Sequence, residues 1–351
     1  MQPTAIDTYD TAPHIVIWEM TRACALACRH CRAEAIPYRN PAELTTAQAF
    51  ALVDAVVECG NPIFILTGGD PFMRDDLFKI VEYAVGSGLR TAVSPSATGR
   101  LRPAALQALS RAGCRRISLS LDAPTAALHD DFRGVRGSFA RTLEGIAAAR
   151  QSGIEVQINT TVSRFNQTRL GEMADLLRGL DVALWSLFFL VPVGRASVDD
   201  VLDARETEAA FAELFALAQT LPFPIKTTEA PHYRRFIAQQ AGNDPARLGH
   251  GIGDGKGFIF ISYSGDVCPS GFLPYAVGNV RRDRLIDVYR SDPFLARLRD
   301  PNSFDGKCSV CEFHDLCGGS RARAFTVTGN AFASEPTCAY VPPAWGERIH
   351  A

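Results

Sequence analysis

The sequence predicts an α/β fold: a mostly parallel sheet covered by helices, followed by a small, irregular, cysteine-rich module. Three observations predict it. Strand-like and helix-like segments alternate through the first half in six repeats, the pattern of a parallel sheet. The alternation stops after Pro192. Cysteines gather at both ends, Cys24, Cys28 and Cys31 at the front and Cys308, Cys311 and Cys317 at the back, while Cys59, Cys114, Cys268 and Cys338 stand singly.

In order, residues 14–19 (HIVIWE) form a short β-branched strand, and residues 45–58 follow with helical spacing behind Thr45 and Thr46 as caps. Residues 63–66, 89–93, 116–121, 154–162 and 182–190 supply further strands. Residues 75–85, 103–112, 138–150 and 170–177 supply the helices between them. Such a pattern suits an open sheet and a barrel equally. Beyond Pro192 come a helix at 206–219, a proline-punctuated run (LPFPIKTTEAPHYRRF) and a glycine-rich loop at 249–257. Residues 258–263 and 266–268 flank Ser264-Gly265 as a hairpin, and 285–290 form a last helix. The expected divisions are 1–195, 196–257 and 258–351.

Composition narrows the function classes. At 351 residues the chain exceeds a single small core, and 47% hydrophobic with 21% charged residues excludes a disordered or fibrous protein. A net charge of −2 gives no basic excess for nucleic acid. The most apolar stretch, 182–193, contains Ser186, ends in Pro192 and falls short of the ~20 residues of a membrane helix. The front end carries Asp7 and Asp10 and no basic segment before an apolar run, so a cytoplasmic location is expected. There the thiols serve as metal ligands or core residues rather than disulfides.

Cys24-x3-Cys28-x2-Cys31 follows the first strand. Three thiolates on one loop hold three corners of an iron–sulfur cluster and leave the fourth metal open to a small molecule. A zinc site completed by His30, or unligated thiols, are the alternatives on spacing alone. After the second strand comes Thr67-Gly68-Gly69-Asp70-Pro71, with glycines that permit close backbone approach and a carboxylate able to accept from an ammonium group. Ser94-Pro95-Ser96 ends the third strand, and Ser118 to Asp122 (SLSLD) ends the fourth, ahead of His129-Asp-Asp-Phe-Arg133-Gly134.

CALACRHC together with TGGDP and SLSLD…HDDFRG resembles the radical SAM enzymes, from residue 15 to residue 340. The resemblance implies a partial (β/α)6 barrel of the TIM type. It also implies a [4Fe–4S] cluster on Cys24, Cys28 and Cys31, whose open iron is chelated by S-adenosylmethionine. One electron then cleaves the sulfonium to a 5′-deoxyadenosyl radical that abstracts hydrogen from the substrate. By the same likeness Gly68, Gly69, Asp70 and Pro71 contact S-adenosylmethionine. Ser120 and Arg133 are candidates for its carboxylate, Asp122 belongs to the same segment, Ser94 suits its ribose or methionine end, and Val191 lies in the apolar patch for adenine.

Cys308-x2-Cys311-x5-Cys317, with Cys338 beyond, would close a zinc site if it stood alone. In this context it resembles a truncated SPASM extension and implies a second [4Fe–4S] cluster on Cys308, Cys311, Cys317 and Cys338. A full extension has another cysteine where this chain has Arg321, and Cys268 is left over or belongs to a degenerate site. An external electron donor such as flavodoxin or ferredoxin is implied; nucleic acid and membrane are not. Two substrate classes fit: tetrapyrrole side chains, as in the haem and haem d1 pathway enzymes that LFFLVPVGR (187–195) resembles, or a ribosomally made peptide. A non-catalytic iron–sulfur or zinc scaffold is the reading from another class. Lys226, Glu229, His232, Tyr233, Arg234, Arg235, Asp254 and Lys256 are candidates for substrate contact or for a solvated basic face.

Overall fold

Strands such as the second, third and fifth bury every second residue, and that period puts one face of the sheet in the core. In the computed structural model, which describes residues 9–244 and 250–350 (side chains to 347), Gly249 of the glycine-rich loop lies outside the described residues. The strands are β1 (Ile15–Glu19), β2 (Ile63–Thr67), β3 (Arg90–Val93), β4 (Arg116–Ser120), β5 (Glu155–Val162), β6 (Leu184–Phe189), β7 (Ile225–Thr228), β8 (Phe258–Ile261), β9 (Asp266–Cys268) and β10 (Gly278–Asn279). They form one sheet in the order β10-β9-β8-β1-β2-β3-β4-β5-β6-β7. From β8 through β7 neighbouring strands run parallel, and β9 and β10 are antiparallel. The sheet has two ends and does not close.

Helices α1 (Thr46–Val57), α2 (Leu77–Gly86), α3 (Pro103–Arg111), α4 (Ala126–Arg133), α5 (Ser138–Gln151), α6 (Leu170–Arg178), α7 (Ala204–Ala218) and α8 (His232–Gln240) link the parallel strands. Four more follow: α9 (Leu285–Ser291), α10 (Pro293–Arg299), α11 (Arg321–Thr328) and α12 (Pro343–His350). α1 begins with a capping box between Thr45 and Gln48, which satisfies its first free N–H groups. The core joins the helices' apolar stripes to one face of the strands: Leu52, Val56, Ile80 and Val81 pack with Trp18, Phe64, Ile158 and Trp185. On the other face Gln157, Asn159 and Thr161 of β5 alternate with buried Val156, Ile158 and Thr160 and stay half-buried. Helices pack on the apolar face, and a polar face is left half-buried on the other side of the sheet.

The proline-rich run hides a strand. β7 adds to β6 with Trp185 opposite Ile225, and the Trp185 N–H donates to the Pro224 carbonyl at 3.1 Å. Proline is tolerated there because β7 is an edge strand. The predicted hairpin forms, but β8 also pairs with β1 in parallel register, Ile17 opposite Phe260, so the cysteine-rich part continues the same sheet. That part is also more helical than its sequence suggests, because α10, α11 and α12 are short and carry weak periodicity. Among the described residues no helix is long and apolar enough to cross a membrane.

Candidate metal centres

The loop after β1 carries the first cysteines, and neighbouring strand ends hold it from several sides. The Gly69 and Asp70 N–H groups donate to the carbonyls of Thr21 and Ala23, each at 2.7 Å. A Cβ on Gly68 would lie 2.5 Å from Thr21 O, and one on Gly69 2.5 Å from Ala23 O. The glycines thus let the strand end approach the cysteine loop closely. Beyond β6, Gly194 (φ +66°) sits so close that a Cβ would lie 2.5 Å from Cys31 O. Next to it Arg195 donates from its backbone to Cys31 O at 3.1 Å and from Nε to Cys28 O at 3.0 Å. At the end of α4, Phe132 and Arg133 carbonyls accept from Arg29 and Ala27.

The three thiols are buried or half-buried and already face donors. Leu26 N–H donates to Cys24 Sγ at 3.4 Å, and Ala35 N–H to Cys31 Sγ at 3.4 Å. Ser96 Oγ lies 3.6 Å from Cys24 Sγ, and Arg133 Nη1 lies 3.7 Å from Cys28 Sγ. Burial pushes the Cys24 thiol up to about 11 and raises Cys28 as well. Left as thiols they would stay protonated; a cationic centre replaces those protons. His30 stacks flat on Phe132 with ring centres 4.1 Å apart, and burial pushes it down to about 3, so it is neutral. Among the described residues no three His, Cys, Asp or Glu side chains gather to hold a single ion. A four-iron cluster takes its thiolates on separate irons, and three thiols at least half-buried, with N–H, hydroxyl and guanidinium groups beside them, have the chemistry to hold one.

Around this loop the sequence-predicted residues take distinct places. Asp70 is fully buried and accepts from Phe72 N–H at 3.1 Å, Ser96 N–H at 3.4 Å and Thr98 Oγ1 at 2.8 Å. Its carboxylate ties the loop after β2 to the loop after β3, and burial pushes its pKa up despite those bonds. Pro71 opens a short 3-10 turn, Pro71–Met73, beside it. Ser94 is half-buried at the end of β3, and its N–H donates to Leu66 O at 2.8 Å. Ser120 ends β4 opposite Asn159 of β5. Asp122 is fully buried and accepts from Arg133 Nε at 2.6 Å and Thr161 N–H at 2.8 Å. Burial alone would raise its carboxyl, but Arg133, the two nearby histidines and the Thr161 N–H together hold it below the usual range. Arg133 is thus a fixed cation between Asp122 and Cys28. Val191 is buried just past β6, with neighbours Phe189 and Leu190 whose carbonyls accept from Arg323.

The C-terminal cysteines converge. Cys308, Cys311, Cys317 and Cys338 line one pocket together with His232, Arg235, Lys307, Glu335 and Tyr340. Gly319 N–H donates to Cys317 Sγ at 3.4 Å and Glu335 N–H to Cys308 Sγ at 3.5 Å, and burial pushes Cys311 up to about 12. Cys268 lies apart on β9 opposite Phe260. Cys59 and Cys114 are buried thiols donating to the carbonyls of Ala55 and Arg116.

Most of the residues suspected of substrate contact serve the fold instead. Tyr233 packs against Phe211, Arg234 donates to Ile252 and Leu316 carbonyls, and Glu229 accepts from Ser320. Asp254 accepts from the first N–H groups of α11, and Lys256 donates to Asp315 O. Lys226 differs. It sits on β7 opposite Ser186, solvent-accessible yet enclosed by enough protein that burial lowers its pKa. Residues that the sequence did not single out are Ser96, one position past the proline from Ser94, together with Arg195 and Arg323. Arg323 and Glu335 form an ion pair of 3.0 Å at 1% exposure each, and Arg323 also donates to the carbonyls of Phe189, Leu190 and Glu229. No local pattern announces such a contact between distant segments.

Known proteins share this organisation. Residues 18–177 match the Radical SAM superfamily, and residues 254–312 match the SPASM iron–sulfur cluster-binding domain. The chain is 42% identical over 352 aligned residues to the "AdoMet-dependent heme synthase" of Oleidesulfovibrio alaskensis, covering 97% of this chain and 90% of that one. It is 30% identical to the "Pre-heme d1 synthase" of Dinoroseobacter shibae, covering 93% and 86%. In fold it is similar to SuiB of Streptococcus suis bound to precursor peptide SuiA, with a TM-score of 0.73 at 16% identity over 94% of this chain and 76% of that one. The superfamily domain carries a [4Fe–4S] cluster and S-adenosylmethionine, and the SPASM domain carries additional iron–sulfur clusters. Such enzymes act on a substrate and need a reductant. A relative at this identity, covered over 90% of its length, together with the two matching family domains, makes the chain an enzyme of the radical SAM superfamily with a SPASM domain.

Proposed function

We propose that this enzyme acts on the propionate side chains of an iron porphyrin in haem-type biosynthesis. The observation that carries this is the 42% identity to an AdoMet-dependent heme synthase across 97% of the chain. When bound, the cluster and S-adenosylmethionine supply a 5′-deoxyadenosyl radical that removes a hydrogen atom from the substrate. The protein's own residues do the rest. Cys24, Cys28 and Cys31 hold the cluster, and Gly68, Gly69 and Asp70 fix the loop that bears them. Arg133, braced by Asp122, offers a cation beside Cys28 for the carboxylate of the cofactor, with Ser94, Ser96 and Ser120 as hydroxyls on neighbouring strand ends. Val191 adds an apolar wall. The polar face, with Gln157, Asn159, Thr161 and the accessible cation of Lys226, suits a ligand that carries carboxylates on a flat body. Cys308, Cys311, Cys317 and Cys338 hold a second [4Fe–4S] cluster. The physiological donor is an external one-electron carrier such as flavodoxin or ferredoxin, in a reducing cytoplasm where these thiols stay available.

Anaerobic turnover with dithionite, S-adenosylmethionine and Fe-coproporphyrin III tests the reading by mass spectrometry. The expected result is 5′-deoxyadenosine formed together with a porphyrin shortened at its propionates. Porphyrin left intact while a short precursor peptide is modified would replace the haem reading with the peptide one.

A further inference from the structure

Helix α8, left by the sequence as a substrate-facing or a solvated basic segment, turns one of its charges inward. Arg235 is 4% exposed and lines the cavity of the C-terminal cysteines. Its Nη1 donates to Gln239 at 2.8 Å and to Glu208 at 3.2 Å, and Nη2 donates to Glu208. Its Nε has no hydrogen-bond partner among the described residues. A buried N–H left unpaired costs about 1–3 kcal/mol, so a fold that keeps one calls for an acceptor from outside the chain. The cavity beside it is walled by four thiols, and the acceptor that matches that wall is sulfur. Lys307 stands on the same wall and donates from Nζ to the Cys338 carbonyl. The one carboxylate on that wall, Glu335, is paired with Arg323 at 3.0 Å and brings little free negative charge.

We propose that Arg235 and Lys307 are positioning residues that set the redox poise of the C-terminal cluster. Arg235 Nε–H donates to a sulfur of the cluster, and that N–H donor, with the Lys307 cation, raises its reduction potential. This rests on the reading that Cys308, Cys311, Cys317 and Cys338 hold a [4Fe–4S] cluster. One-electron reduction, by the external carrier or by dithionite, adds a negative charge to the cluster. Fixed cations and N–H donors in a low-dielectric wall stabilise that added charge.

Mediated redox titration of the reconstituted holoenzyme, followed by electron paramagnetic resonance, tests it. The signal that S-adenosylmethionine leaves unperturbed is the C-terminal cluster's. In Arg235→Gln, with iron and sulfide counts equal to the parent's, reduction of that cluster is disfavoured at least tenfold, a fall of 59 mV for one electron. Arg235→Lys restores part of the shift, and Lys307→Gln lowers the potential independently should the arginine variant fail to fold. Both variants reducing within twofold of the parent would overturn the inference while leaving the cluster in place. A parent with only about four irons per chain would overturn the reading beneath it instead.

Discussion

Cys28 and Cys311 look alike in sequence, each in a short Cys-x2-Cys spacing, and the structure sets them in separate places. Cys28 lies beside Arg133 on the loop after β1, while Cys311 lines the distant four-cysteine cavity. Cys28→Ala is expected to abolish 5′-deoxyadenosine release. Cys311→Ala is expected to spare release and end substrate turnover, which chromatography of both products reads directly; loss of release with the fold intact would sink the auxiliary role. The two cysteine sets were legible because thiols at short fixed spacing have few other uses in a reducing compartment. The hydrogen bonds of Asp70 were not legible, because its donors, Phe72, Ser96 and Thr98, meet it only once two loops come together.

At the level of elements, strand ends clamp the cysteine loop by backbone contact. Gly69→Ala would place a methyl 2.5 Å from Ala23 O, a separation that the loop can relieve only by moving. The expected outcome is a folded protein whose iron content falls from about eight to about four per chain, the rear cluster remaining. Iron content that stays at about eight would show that the loop tolerates the shift. The six early strands and their helices were readable from apolar periodicity, since the outer face of each strand meets a helix stripe. β7 was not, because four residues between prolines carry no periodic signal. The attachment of β8 to β1 was not either, as parallel pairing over more than two hundred residues leaves no local trace.

Across the whole molecule, Arg323 couples the C-terminal part to the far edge of the sheet. Its guanidinium reaches the ends of β6, the turn after β7 and Glu335 at once. Arg323→Met leaves a buried carboxylate and three carbonyls without their donor, and about 3–5 kcal/mol of stability should be lost; chemical denaturation of the reconstituted protein measures it. A loss under 1 kcal/mol would mean that the two parts cohere by apolar packing alone. On the polar face, Lys226→Met is expected to raise KM for the porphyrin roughly tenfold with little change in kcat, the mark of a lost binding contact. An unchanged KM would remove Lys226 from the substrate's path.

The claim on which these outcomes rest is that the iron nearest no cysteine, above Cys24, Cys28 and Cys31, is open to S-adenosylmethionine. Electron paramagnetic resonance of the dithionite-reduced holoenzyme, recorded before and after S-adenosylmethionine is added, tests it most directly. One of two cluster signals should change on addition, and that signal should be missing from Cys28→Ala. Two signals that both ignore the added cofactor would contradict the account.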